Sequence, residues 1–187
     1  MHKLHSAQVT QSLEGSLKNL KTQYIDSLVL HSPMSNHKDT MTVWQTLETF
    51  YDKKILRQLR ISNIYDVSTL KLIWNDARVK PAVVQNHFAS DTNHDKKIRQ
   101  FCSENNIVYQ SFWSLTANPH ILKHVSMREI SSKYGKTVEQ VFFCFLIKIG
   151  IVPLTGTCSI DHMEKDLESL NMELTSDEIS TINLLLD

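Results

Sequence analysis

Ser27-Leu28-Val29-Leu30-His31-Ser32-Pro33 is the stretch whose reading decides the fold. Leu28-Val29-Leu30 is an apolar run without alternation, the pattern of a parallel strand covered on both faces. Pro33 has no N–H for a central ladder, so the strand stops before it. His31 then stands at the strand's carboxyl end, where α/β folds gather ligand-binding groups. By itself the local sequence also suits His31 as a hydrogen-bonded structural histidine.

Working outward, Val9, Leu13, Leu17 and Leu20 recur at helical spacing and predict an amphipathic helix over roughly 8–22. Val43, Leu47 and Phe50 predict a helix over about 40–53, capped by Asp39 or Thr40. Leu59-Arg60-Ile61-Ser62-Asn63 reads as a second strand, and Asp66 caps a helix carrying Leu70, Ile73 and Trp74. Ala82 to Phe88 is a third strand. Asp95 is expected to cap a helix with Ile98, Phe101 and Cys102, and Ile107 to Trp113 is a fourth strand. Two capping-box patterns, Ser126-x-x-Glu129 and Thr137-x-x-Gln140, open helices, with Gly135 ending the first and Gly150 the second. The second helix is apolar throughout, from Val141 to Leu146. Ile151 to Gly156 is a fifth strand, and helices follow at about 160–170 and, after Thr175-x-x-Glu178, at about 177–186. Trp113 and Tyr109 read as packing residues, and Cys102 and Cys144 as structural.

Strands separated by helices imply right-handed crossovers and a parallel sheet. A doubly wound sheet would call for a glycine-rich phosphate turn, and no G-x-G-x-x-G or P-loop is present. Barrel-type βα units remain.

The composition narrows the function classes. The chain has 187 residues, which suits one domain over 1–187. Lys+Arg and Asp+Glu are 20 each, so no bulk charge grips nucleic acid or an anionic membrane. No apolar run is long enough to span a bilayer, and the start, Met1-His2-Lys3-Leu4-His5, has no apolar signal core. The 3 cysteines form no Cys-x-x-Cys pair, which predicts neither a metal site nor a disulfide framework and suggests a reduced, cytoplasmic setting.

At this point the residues resemble a family. Tyr24 to Pro33, Ile61-Ser62-Asn63, Pro81 to Asn86, Tyr109 to Leu115, and Val152 to Thr157 with His162 to Leu167 are similar, in order and spacing, to the fourth to eighth strands of aldo-keto reductases. The resemblance implies a (β/α)8 barrel with NADPH across the strands' carboxyl ends and hydride transfer to an aldehyde or ketone. It makes His31 the histidine that orients and polarises the small carbonyl substrate. Ser62, Asn63 and Gln85 match the residues holding the nicotinamide carboxamide, and Phe112 the aromatic stacked on the nicotinamide. Leu154, Thr155 and Gly156, with His162, Lys165 and Asp166 on the following helix, match the region that meets the adenosine 2′-phosphate. Ser62 and Asn63 also suit strand-end turns, Gln85 an interior amide and Phe112 core packing.

The resemblance starts at the family's third helix. Its first three strands, and with them its catalytic Asp, Tyr and Lys, have no counterpart here, so an N-terminally truncated member is expected: a partial TIM barrel of about five parallel strands with outer helices. Leu154 replaces the family's 2′-phosphate lysine, and His162 its arginine. NADP is therefore an inherited expectation, and NAD is not excluded. Open sheet edges invite self-association. Two accounts follow. In one the chain is a reductase with impaired turnover. In the other it is a non-catalytic partial barrel that binds a partner, or a piece of a longer reductase.

Overall fold

A computed structural model of the chain describes residues 2–186. Among the described residues five strands alternate with helices and pair in parallel. Strand order in the sheet follows the sequence, β1-β2-β3-β4-β5, for β1 (Leu28–Leu30), β2 (Leu59–Ser62), β3 (Val83–His87), β4 (Val108–Phe112) and β5 (Ile151–Pro153). Contacts divide the chain into two compact units. One is Met1–Gln85 with Gln100–Val108, and the other is Asn86–Arg99 with Tyr109–Asp187.

In the first unit, α1 (His2–Leu20) packs on α2 (His37–Asp52). The helix starts earlier and ends earlier than its periodicity suggested. Lys21, at φ 53, breaks it, and Thr22 N–H reaches back to the Leu17 carbonyl. Leu20, assigned to the apolar stripe, is exposed, while Leu13 is buried. The cap of α2 is neither Asp39 nor Thr40. Asn36 accepts from the Asp39 N–H, and Thr40 turns inward to accept from the Met34 N–H. Trp44 is fully buried and its indole donates to the Val79 carbonyl at 2.9 Å, while Glu48 accepts from the Val79 N–H. Asp66 caps α3 (Val67–Asp76) through two backbone N–H groups, as its position predicted.

β1 pairs with β2 in the register Leu28↔Leu59, Val29↔Arg60, Leu30↔Ile61. The deciding strand is shorter than the run that announced it, and it is not covered on both faces. Val29 is 38% exposed. The run is apolar throughout, yet only one of its faces is packed within this unit.

In the second unit, β4 and β5 pair as Tyr109↔Ile151, Gln110↔Val152 and Ser111↔Pro153. The apolar helix α7 (Val138–Lys148) forms the centre, with every residue from Gln140 to Leu146 buried. It packs against β5, α6 (Val125–Tyr134), α8 (Ile160–Glu168) and α9 (Ser176–Asn183). The capping boxes at Thr137/Gln140 and Thr175/Glu178 both form. The one at Ser126/Glu129 does not. His124 caps α6 instead, its ring nitrogen accepting from the Ser126 N–H. Gly135 ends that helix at φ 61, as a glycine can at no steric cost.

Asp95 is the clearest departure from the local reading. It does not cap α4 (Lys96–Glu104). It ends a 3-10 stretch, Ser90–Asp95, in which Asn93, His94 and Asp95 are all left-handed. Its carboxylate is buried and accepts from Asn86 at 2.6 Å and from the Tyr109 hydroxyl at 2.8 Å. Beside it, buried His94 donates to Asn118, whose amide in turn donates to the Phe88 and Ser114 carbonyls. A short α5 (Pro119–Leu122) was also unforeseen.

Candidate functional site

In the first unit His31, Ser62 and Asn63 gather at the carboxyl ends of β1 and β2, whereas Gln85, expected at a strand end, lies in the middle of β3, which runs on to His87. His31 directly follows β1, with its ring exposed. Its carbonyl accepts from Asn63 Nδ2 at 2.8 Å. Asn63 directly follows β2 in a left-handed conformation (φ 52), which asparagine tolerates better than most residues. Its Oδ1 accepts from the Tyr65 hydroxyl at 3.0 Å, so the amide is oriented from both ends. Ser62 is buried and donates to the Gln85 carbonyl at 2.6 Å, the two residues being partners in the β2–β3 register. Gln85 is half-buried. His31 borders a cavity of about 540 Å³ that runs along β1, with Leu28, Leu30 and Met34 among its walls.

In the second unit Phe112 ends β4, half-buried, with its ring edge-on to Trp113 at 5.4 Å. Phe112 and Leu154-Thr155-Gly156 share the wall of one cavity of about 410 Å³ with Trp113 and Phe143. A second cavity, about 330 Å³, shares Leu115, Thr155 and Gly156 with the first. It continues past Thr157 to His162, Lys165 and Asp166, with Glu139 on its wall. The cavities thus bring Phe112 onto one wall with Leu154, Thr155 and Gly156, and Thr155 and Gly156 onto another with His162, Lys165 and Asp166.

Several partners were not named. Trp113 was read as packing, yet it is 65% exposed, with a left-handed backbone (φ 58) that turns the ring outward past the strand end. His87 stacks on Trp113 at 6.3 Å and lies 3.1 Å from Asp91. Asp161 holds Lys165 at 2.7 Å, which lowers the Asp161 carboxyl pKa through that hydrogen bond and raises that of the lysine. The i,i+4 spacing of Asp161 and Lys165 was the available signal. Asp166 accepts from the Thr155 hydroxyl at 2.9 Å, and His162 Nδ1 lies 3.5 Å from that of Thr157. Among the described residues no group of three or more His, Cys, Asp or Glu is placed to hold a metal ion, and no helix is long and apolar enough to cross a membrane.

The family model described as "Aldo/keto reductase family" matches residues 1–187. The chain belongs to the aldo-keto reductases. It is 26% identical over 175 residues to glyoxal reductase of Bacillus subtilis (strain 168), covering 93% of this chain and 61% of that protein. It is 26% identical over 200 residues to NADPH-dependent codeinone reductase 1-4 of Papaver somniferum, covering 96% and 62%. Among solved aldo-keto reductases it resembles MGS-M4, from a Medee basin deep-sea metagenome library, with a TM-score of 0.87 at 22% identity over 96% of this chain and 65% of that one. An aldo-keto reductase of the silkworm Bombyx mori complexed with NADPH gives 0.83 at 23% identity, over 96% and 60%. The chain thus spans about three fifths of the length of the relatives it matches. At these identities the structural likeness establishes the aldo-keto reductase fold, and the five parallel strands fit a part of that barrel.

Proposed function

We propose that this chain supplies the dinucleotide-binding, histidine-bearing part of a carbonyl reductase that uses a nicotinamide cofactor to reduce an aldehyde or ketone. The observation that carries the reading is the chain of hydrogen bonds from the His31 carbonyl through the Asn63 amide and the Ser62 hydroxyl to the Gln85 carbonyl, across the ends of β1 and β2 and the middle of β3. It fixes the backbone or side chain of residues that, by the resemblance, match those the family uses at the carbonyl and at the nicotinamide carboxamide. When bound, the cofactor supplies a hydride. The role proposed for His31 is to donate a hydrogen bond to the carbonyl oxygen as negative charge develops there. In the first unit the Asn63 amide and the Ser62 hydroxyl are the groups proposed for a carboxamide, and in the second unit the Phe112 ring is the face proposed for aromatic stacking.

NADP(H) is the cofactor that the family brings to this chain. A small carbonyl compound is the substrate. A reducing compartment, the cytoplasm, fits the three free cysteines.

In this reading the 187 residues alone do not turn over. The family's Asp, Tyr and Lys find no match among them, and a positioned general acid is worth roughly 10²–10⁴ in rate. Binding a cofactor without stabilising the transition state does not accelerate chemistry. The test is loss of nicotinamide absorbance with a reactive aromatic aldehyde, for the chain and for His31→Ala. Equal, background rates are expected. A robust rate that His31→Ala abolishes would show that another residue here serves as the acid.

A second reading, a non-catalytic binding module or self-associating partial barrel, is favoured by the uncovered strand residues Val29 and Val152, 38% and 45% exposed. Sedimentation at micromolar concentration tests it, and a monodisperse monomer would count against it.

A further inference from the structure

We infer that the pocket at the start of α8 is built for an unphosphorylated adenosine ribose, a cis-diol, and rejects a 2′-phosphate, so that this chain prefers NAD(H) to NADP(H). The inference rests on the dinucleotide reading above and departs from it in one respect, the 2′-phosphate that the family's NADP(H) carries.

The charges decide it. The wall of the cavity carries two carboxylates, Glu139 and Asp166, against one ammonium, Lys165. That ammonium is already engaged by a third carboxylate, Asp161, at 2.7 Å. Leu154, on the wall of the adjoining cavity, brings no charge. Even with a proton on His162, three carboxylates outnumber two bases. A phosphate monoester brings roughly two more negative charges.

Besides Lys165, two helix N-termini here attract an anion: that of α7, whose N-cap Thr137 hydroxyl already accepts from the Gln140 N–H and whose first turn carries Glu139, and that of α8. The attraction of α8 is also largely spent. The Ser159 hydroxyl accepts from the His162 N–H, and Asp161 sits in the first turn. The pair between Lys165 and Asp161 is exposed and costs little to break. Breaking it, however, frees one positive charge by uncovering one negative charge beside it, so the local balance does not improve.

A diol finds the opposite situation. Asp166 is half-buried and uses Oδ2 for the Thr155 hydroxyl, while Oδ1 makes no hydrogen bond among the described residues. A carboxylate with a free oxygen at a ribose pocket is the acceptor that dinucleotide sites use for an unmodified 2′-hydroxyl, whereas a 2′-phosphate calls for arginine or its like.

The test is calorimetric titration of the 187-residue chain with NADH and with NADPH, and with 5′-AMP and 2′-AMP as fragments. NADH is expected to bind at least about fivefold tighter than NADPH, with the ratio shrinking as salt screens the repulsion. Asp166→Ala is expected to weaken NADH about tenfold and to strengthen NADPH, as only the loss of both an acceptor and a repulsive charge would do. Leu154→Lys combined with Glu139→Gln is expected to reverse the preference. NADPH binding equal to or tighter than NADH in the parent chain overturns this inference and leaves the proposed function standing. A chain that binds neither dinucleotide overturns both.

Discussion

Glu178 ties the last helix of the second unit to α6, and replacing it with glutamine should loosen that tie in a pH-dependent way. Its Oε1 receives Lys133 at 2.6 Å, and its Oε2 receives the Tyr134 hydroxyl and the Thr175 N–H, both at 2.8 Å. Burial pushes the carboxyl pKa up. The hydrogen bonds from Lys133, the Thr175 backbone, Tyr134 and the Thr175 hydroxyl more than offset that and hold it down at about 2, against an ordinary 4.5. At ~1.36 kcal/mol per pH unit, this places a ceiling of roughly 3.4 kcal/mol on the ionised form's contribution. Lys133 is 57% exposed, so solvent screening reduces the figure to about 1–2 kcal/mol.

The folded-state pKa is lowered, so the contribution is fully present above pH ~5 and is lost as pH falls from about 4.5 to about 2. At pH 3.5 roughly three fifths of it remains, because the unfolded carboxyl is then mostly protonated while the folded one is not. Urea unfolding of the parent chain and of Glu178→Gln, followed by circular dichroism at pH 7 and pH 3.5, measures the difference. A loss of about 1–2 kcal/mol at pH 7 that narrows at pH 3.5 is expected. Equal stability at pH 7, or a gap that does not narrow in acid, would refute the reasoning.

His94 is buried, and burial holds its imidazole pKa below 6.5 against the hydrogen bonds to Asn118 and the Leu186 backbone. The unfolded state therefore takes up this proton first. Stability should fall as pH drops below about 6.5, with a slope approaching ~1.4 kcal/mol per pH unit that His94→Gln flattens in urea titrations between pH 8 and 5. Trp44→Phe should cost about 1–3 kcal/mol in the same assay, because it removes the donor to the Val79 carbonyl from a fully buried position. Gly135→Ala should cost about 1 kcal/mol, read as a lower thermal midpoint, since Gly135 has φ +61 and its added Cβ would meet strain but no neighbour.

Much of this protein was determined within reach of a few residues along the chain. The capping boxes at Thr137 and Thr175 and the cap at Asp66 formed as written, because donor and acceptor lie three residues apart and close without outside help. The alternation of strand and helix follows from the apolar runs, and that alternation dictates a parallel α/β fold. The strand-end positions of His31, Asn63 and Phe112 were legible for the same reason, since strand ends can be read locally, whereas Gln85 sits in the middle of β3 because that strand runs on to His87. What escaped the sequence were choices among competing partners. Asp95 could have capped its helix, but the tertiary structure offered its carboxylate Asn86 and Tyr109 and turned three residues left-handed to reach them. Ser126 held a correct capping pattern and lost to His124. Lys165 is named by its position, but only the folded helix shows that Asp161 holds its charge while Glu139 is brought to the same pocket from another helix. Spacing along the chain fixes local geometry, whereas the balance of charge in a cavity is a sum over elements that meet only when the chain has folded.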